Sequence, residues 1–174
     1  MLSNTGITLV ILTTLLSVLI IYKSFTELHI ENNFINKKIF NLVTFQTTFS
    51  ILSFFVLIAG FVISDFSLIN VYENSHTKKP FFYKVSGAWG SHEGSLLLWI
   101  NILVIFSFLF LVFTKHNNKS YLLYTLIFQN FLIVGFLIFL LINSNPFSKI
   151  YPIPTEGLGL NPILQDPALA IHPP

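Results

Sequence analysis

Residues 80–99 read PFFYKVSGAWGSHEGSLLLW, and this stretch passes from a polar, aromatic loop directly into an apolar helix. It contains both tryptophans of the chain and, between them, an ionisable pair flanked by glycines (Trp89, Gly90, His92, Glu93, Gly94 and Trp99). Glycine gives the backbone freedom at such a junction, and aromatic rings are typical of membrane–water interfaces. The stretch therefore indicates a loop with a candidate site at the mouth of a membrane-spanning helix.

The composition of the whole chain agrees with a membrane protein. Of its 174 residues, 53% are hydrophobic and 9% are charged, and the mean hydropathy is +0.76, which is too apolar for an ordinary soluble domain. The absence of cysteine excludes disulfides, a thiol nucleophile and zinc–thiolate sites. All nine basic residues are lysines spread along the chain, which excludes nucleic acid as a partner. The lack of arginine beside twenty phenylalanines is typical of an AT-rich genome, such as that of an organelle or a reduced bacterium.

Apolar runs predict an all-α integral membrane protein with about four transmembrane helices, each able to cross a hydrocarbon core of roughly 30 Å. The helices are predicted at residues 5–22, 39–63, 96–113 and 121–142. The chain is thereby divided into two helices (1–63), an outer-face loop with the WGSHEGS motif (64–95), two further helices (96–142) and a Pro/Gly-rich outer-face tail with the LNPILQDP and HPP motifs (143–174). The first run lacks a basic n-region and a small-residue cleavage site, so we interpret it as a retained helix.

The distribution of lysines predicts the orientation. The two short connections, 23–38 and 114–120, carry five lysines, and the longer segments on the opposite side carry four. By the positive-inside rule the short connections lie in the cytoplasm or matrix. The loop and the tail are then expected to face the periplasm or the intermembrane space.

Amide side chains inside the predicted spans include Asn101 in the third span and Gln129 and Asn130 in the fourth. For Gln129 and Asn130, hydrogen bonding between helices is the expected use, and a polar transport path is the alternative. A transporter is the weaker interpretation because the spans contain no charged residue, which coupled transport often uses.

The residues around His92 admit two interpretations that the sequence leaves open. Glu93 lies where a helix dipole favours negative charge, and Ser91 or Ser95 can cap free amides, so the stretch is either a capped interfacial turn or a ligand-contacting loop. Trp89 and Trp99 are ten residues apart, about 15 Å on a helix, and cannot sandwich one ligand together. Each fits an interfacial aromatic belt, with a ligand contact as the alternative.

Among the histidines, His172 carries the most chemical information. His29, His76 and His116 lie in polar loops and are expected to be solvated. His172 instead follows apolar residues and precedes Pro173 and Pro174, which restrict the backbone around it. A rigid imidazole on an apolar background suits axial ligation of a haem iron, and an inert tail residue is the alternative.

Two sets of motifs resemble the F component of the cytochrome c maturation haem lyase, the CcmF family of system I. The first set resembles that family's first large loop and the helix after it (Asp65-Phe66-Ser67, Asn74-Ser75, Tyr83-Lys84, Trp89-Gly90, His92-Glu93-Gly94-Ser95 and Leu97-Leu98-Trp99). The second set resembles its second loop (Ser144-Asn145-Pro146-Phe147, Leu160-Asn161-Pro162, Leu164-Gln165-Asp166-Pro167 and Ile171-His172-Pro173-Pro174). The resemblance covers roughly the second two thirds of the chain.

The resemblance implies a subunit of a haem lyase complex that transfers haem to apocytochrome c during cytochrome c biogenesis. It implies that His172 is an axial ligand of the iron of a delivered b-type haem, shared with a partner chain, with Trp89, His92, Glu93 and Trp99 as weaker haem-binding candidates. The implied partners are the remaining fragments of the lyase, a haem chaperone, apocytochrome c with its thiol-reducing components, and membrane lipid. The implied location is the mitochondrial inner membrane, with a bacterial inner membrane as the alternative.

The sequence also departs from the family pattern. Family members are longer and carry a tryptophan-rich haem-binding signature and partner histidines that this sequence lacks. Leu158-Gly159-Leu160 replaces an acidic and basic pair, and Ser91 stands where glycine is common. We therefore expect the N-terminal piece of a split lyase, as some mitochondrial genomes encode it, or a fragment, inactive alone. A membrane scaffold without haem contact is the alternative function.

Overall fold

The computed structural model describes residues 1–30, 36–114 and 119–171, apart from the side chains of Ile163, Leu164, Leu169 and Ile171. Within these ranges the chain is all-helical, and its only β pairing is an isolated antiparallel bridge between Leu68 and Lys149. The helices are α1 (Leu2–Glu27), α2 (Lys37–Ile63), α3 (Ile69–Asn74), α4 (Phe81–Gly90), α5 (His92–Phe113), α6 (Lys119–Asn143) and α7 (Pro167–Ile171), with a 3₁₀ turn at Pro162–Gln165. α1, α2, α5 and α6 are long and apolar enough to span a membrane, which confirms the predicted all-α class with four spans.

The helices extend beyond the predicted apolar runs because their polar ends can be solvated at the membrane surface. α1 continues five residues past Tyr22 to Glu27. α5 begins at His92, four residues before its predicted start, because the Ser91 hydroxyl accepts a hydrogen bond from the Gly94 amide at 3.1 Å. Such an N-cap supplies a partner for one of the free amides of a first helical turn.

The tail contains more regular structure than its prolines predict. Prolines and glycines are frequent after Asn143 and disfavour regular structure, but the 3₁₀ turn and α7 both lie there. Each begins with a proline, Pro162 and Pro167, at the first helical position. Proline is compatible with that position because its missing N–H would have no partner within the helix.

The four spans form a bundle in which α1 and α5 each pack between α2 and α6. Their buried apolar side chains form two clusters, one at each half of the bundle. The first cluster lies near the start of α1 and includes Val10, Leu57, Leu97, Ile133 and Leu137. The second lies towards the other end and includes Ile20, Val43, Leu111, Leu122 and Leu126.

A layer of buried polar side chains separates the two clusters. Gln46 on α2 donates from Nε2 to Ser17 Oγ on α1 at 2.6 Å and to Asn130 Oδ1 on α6 at 2.7 Å. Gln129 donates to the Leu103 carbonyl of α5 at 3.0 Å. The expectation that Gln129 and Asn130 bond between helices is therefore confirmed, and these bonds set the register of the bundle.

The end of the bundle remote from the start of α1 is closed by a buried ion pair. Lys119 Nζ lies 3.4 Å from Glu27 Oε1, and both side chains are nearly buried. Lys119 also donates to the Ile30 carbonyl at 3.1 Å, and Asn36 donates to Glu27. These contacts join the ends of α1 and α6 and the start of α2.

Candidate functional site

Two segments meet at the end of the bundle where α1 begins, and we call residues 64–91 and 143–171 together the cap. The Ile69 amide donates to the Ser148 carbonyl at 2.9 Å, and the Ile150 amide donates to the Ser67 carbonyl at 3.0 Å. The two outer-face segments expected from the sequence therefore contact each other through backbone hydrogen bonds. Such bonds depend little on side-chain identity, which explains why no local pattern predicts them.

The cap is fastened to α1 where the tail begins. The Phe147 side chain is fully buried, and its carbonyl accepts a hydrogen bond from Ser3 Oγ at 2.7 Å. The neighbouring Lys149 donates to Asn4 Oδ1 at 2.9 Å. Gly6 permits this arrangement, because a Cβ atom at that position would overlap the Phe147 ring.

A glutamate in the tail holds the loop at a second point. Both carboxylate oxygens of Glu156 accept hydrogen bonds from Thr77, one from its hydroxyl and one from its amide. These bonds, chiefly the one from the hydroxyl, lower the pKa of Glu156 to about 2, and a smaller contribution comes from His76, whose Nδ1 lies 3.7 Å from the carboxylate. The Glu156 side chain is therefore ionised at neutral pH and joins two segments 79 residues apart.

The third point of contact joins the tryptophan motif to the end of the tail. Trp89, at the end of α4, donates from its indole Nε1 to the carbonyl of Ala170 at 2.8 Å. Ala170 belongs to α7 and is buried. This hydrogen bond brings the two sets of motifs together in space. Its acceptor, Ala170, lies two residues before His172 in the sequence.

The residues around His92 form a tight corner between α4 and α5. Ser91 is the N-cap of α5, as one of the two sequence interpretations predicts, and Glu93 lies in the first turn. A Cβ atom on Gly94 would overlap the carbonyl oxygen of Ala88, so only glycine allows this approach. His92 is exposed, and Glu93 is half-buried beside a small cleft that Glu73 also lines.

The other candidate residues are dispersed. Trp99 is 58% exposed on the membrane-facing side of α5, away from the corner at His92. His29 is exposed, and its Nδ1 lies 3.2 Å from the Phe25 carbonyl oxygen. His116 and His172 lie outside the described residues, so the iron-ligand role of His172 stays a prediction.

Sequence reasoning missed a groove in the cap, because residues far apart in the chain form it. One wall comes from the loop before α4 and its first turn, and the other comes from the tail before and within the 3₁₀ turn. We call it the cationic groove, and its lining includes His76, Lys78, Lys79, Tyr83, Leu158 and Leu160. The paired lysines and the tyrosine were visible in the sequence, but nothing there indicated their partner segment.

Four spanning helices define the chain as a multi-pass membrane protein. Residues 89–174 match the model of a family described as "Cytochrome C assembly protein". The chain is 49% identical over 122 residues to the cytochrome c-type biogenesis protein CycK of Rhizobium meliloti, which covers 70% of this chain and 18% of that protein. It is 43% identical over 123 residues to the cytochrome c-type biogenesis protein CcmF of Escherichia coli, covering 70% and 19%.

A solved structure titled "Cytochrome c Heme Lyase CcmF" has the same fold over 85% of this chain and 25% of its own, with a TM-score of 0.73 and 20% sequence identity. The chain belongs to the CcmF family of cytochrome c assembly proteins. It spans less than a fifth of the length of the curated relatives named above.

Proposed function

We propose that this chain is a membrane subunit of a haem lyase complex, which transfers haem to apocytochrome c during cytochrome c biogenesis. The observation that supports this proposal most strongly is the family match over residues 89–174, which begins at Trp89 and includes His172. Relatives named as cytochrome c-type biogenesis proteins at 43% and 49% identity support the same role. In this proposal the chain positions haem as a substrate and is not active alone.

His172 is the proposed axial ligand of the haem iron. Its chemistry suits the role, since imidazole is a common ligand of haem iron. The hydrogen bond from Trp89 to Ala170 supports the assignment, because two extended residues reach at most about 7 Å beyond that fixed point. Trp89 then acts by holding the tail in place. His92, Glu93 and Trp99 stay weaker candidates.

The cap fits an amphipathic, anionic substrate such as haem. Lysines and apolar side chains line one cavity in it, the cationic groove, while the segment that leads to His172 lies against Trp89. The reaction adds the S–H of each apocytochrome cysteine across a vinyl double bond of haem, and this chain contains no thiol. Its proposed contribution is therefore binding and orientation, which bring the reacting groups together.

The proposed location is the mitochondrial inner membrane, with the cap facing the intermembrane space, and the bacterial inner membrane with a periplasmic cap is the alternative. The lysine distribution and the AT-biased composition support this placement. The proposed partners are the remaining parts of the lyase, a haem chaperone, and apocytochrome c with its thiol-reducing components.

The test is an affinity purification of the chain from native membranes in mild detergent, with the reduced haem spectrum and the co-purifying chains recorded. His172→Ala is compared with His29→Ala, a histidine at the opposite end of the bundle. We expect haem and partner chains with the wild type and with His29→Ala, and a lost or altered haem spectrum with His172→Ala. If the partners co-purify and the haem spectrum is the same with and without the His172 side chain, the chain acts instead as a scaffold without haem contact.

A further inference from the structure

The cationic groove is an open cavity of about 640 Å³ with a mixed lining. Lys78 and Lys79 line it together with Tyr83, Leu158 and Leu160, which contribute apolar and aromatic surface. A cavity of this size accommodates part of a flat organic molecule, and its composition favours one that carries negative charge on an apolar body.

The positive charge in the groove is not neutralised by a carboxylate. Among residues 1–30, 36–114 and 119–171, the structure gives the Lys78 ammonium no hydrogen-bond or ion-pair partner, and Lys79 Nζ reaches the Leu160 carbonyl at 3.4 Å. Partial burial lowers the pKa of Lys79, which means that its charge is poorly solvated where it lies. An anion in the groove would compensate for this lost solvation.

The carboxylate of Glu156, which lies 3.7 Å from His76, is already hydrogen-bonded to another residue. Both oxygens of Glu156 accept hydrogen bonds from Thr77, and within the described part of the chain Glu156 forms no ion pair with either lysine. His76 Nδ1 accepts a hydrogen bond from the Lys78 amide at 3.2 Å. The lysines therefore supply the charge of the groove.

The groove lies close to the end of the tail. Tyr83 lines the groove and Trp89 holds Ala170, and the two aromatic residues are six positions apart on α4, about 9 Å along the helix axis. That spacing is comparable with the distance from the iron of a haem to its carboxylates. The groove and the contact that holds the tail end therefore both involve α4, about 9 Å apart along its axis.

We propose that the cationic groove binds the propionate carboxylates of haem through Lys78 and Lys79, an assignment that rests on the proposed haem-lyase function. Charge-assisted hydrogen bonds from ammonium to carboxylate are short and strong, and the neighbouring Tyr83 and Leu160 cover part of the apolar ring. A phospholipid phosphate shares this chemistry of an anion on an apolar body. Esterified haem separates the two sources because its carboxylates are neutral.

The experiment titrates ferric haem and its dimethyl ester into the full chain, purified in mild detergent with its co-purifying chains, and follows absorbance and tryptophan fluorescence. The double variant Lys78→Gln/Lys79→Gln is compared with Lys37→Gln/Lys38→Gln, which removes equal charge at the start of α2. We expect Lys78→Gln/Lys79→Gln, the groove variant, to bind haem about tenfold more weakly than the wild type, and its haem affinity to depend much less on salt concentration. Its affinity for the dimethyl ester should equal that of the wild type. Lys78→Gln alone, at an exposed position, is expected to give a smaller loss in the same direction.

The outcomes separate this proposal from the function on which it rests. Unchanged haem affinity in the groove variant, with binding still weakened by His172→Ala, overturns the groove assignment and leaves the haem role intact. Absence of haem binding to the wild-type complex overturns both. A groove variant that loses affinity only for vesicles containing phosphatidylglycerol, relative to pure phosphatidylcholine, assigns the groove to lipid phosphate and overturns the haem assignment.

Discussion

Replacing Trp89 by phenylalanine tests whether the tryptophan motif holds the tail. The substitution keeps an aromatic ring but removes the indole N–H, which donates to the Ala170 carbonyl at 2.8 Å. A typical hydrogen bond contributes about 0.5–1.5 kcal/mol net, and a buried carbonyl left without a partner costs about 1–3 kcal/mol. Ala170 is only 4% exposed, so we expect a loss of about 1–2 kcal/mol in the docking of α7.

Hydrogen exchange of the tail measures this loss. The Ala170 amide donates to the Asp166 carbonyl at 2.8 Å, so its exchange reports the opening of α7. A change of 1–2 kcal/mol corresponds to exchange about 5- to 30-fold faster in residues 167–171. The matched control is Trp99→Phe, which removes the other indole from an exposed membrane-facing position. Equal tail exchange in the two variants would refute the proposed role of Trp89.

Three further predictions concern the corner between α4 and α5, the buried polar layer of the bundle, and the contact between Glu156 and Thr77. Gly94→Ala should lower the free energy of unfolding in detergent by about 1–3 kcal/mol through overlap at the corner, whereas Gly135→Ala, with open space around it in a helix interior, should not lower it. Gln46→Ala should cost about 0.6–2 kcal/mol in the same unfolding assay by leaving two buried partners without a donor, and a variant as stable as the wild type would contradict the described layer. The Glu156 pKa is below its ordinary value of 4.5, so its contribution to stability is present above about pH 4.5 and is lost as the pH falls towards 2. The protection factor of the Thr77 amide, which corrects for the slower intrinsic exchange in acid, should fall over that range in the wild type, and Glu156→Gln should already show lower protection at neutral pH and respond less to acid.

The spans were predictable because each is a continuous apolar run, and the structure differs mainly at their polar ends. α5 illustrates the difference, since hydropathy places its start at Leu96, whereas the helix begins at His92 after its N-cap residue Ser91. Ser91 itself was one of the two capping residues that the sequence suggested. Helix ends are therefore determined by hydrogen bonding that a count of apolar residues does not include.

The contacts of the cap were not predictable from the sequence, because they join residues far apart in the chain. Thr77 and Glu156 are 79 positions apart, and Trp89 and Ala170 are 81 apart. Neither pair carries a local pattern. Gln129 and Asn130 were a partial exception, since amides in an apolar run indicate hydrogen bonds between helices, although their partners, the Leu103 carbonyl and Gln46, needed the packed bundle.

The most direct test of the haem assignment is chemical rescue at His172. The complex carrying His172→Gly is purified, and its haem absorption and electron paramagnetic resonance spectra are recorded before and after free imidazole is added. We predict that the variant loses the axial histidine signature and that imidazole restores it, because the added ring can occupy the position left by the side chain. A His172→Gly complex with the wild-type spectrum, and with no response to imidazole, would contradict ligation of the haem iron by this chain.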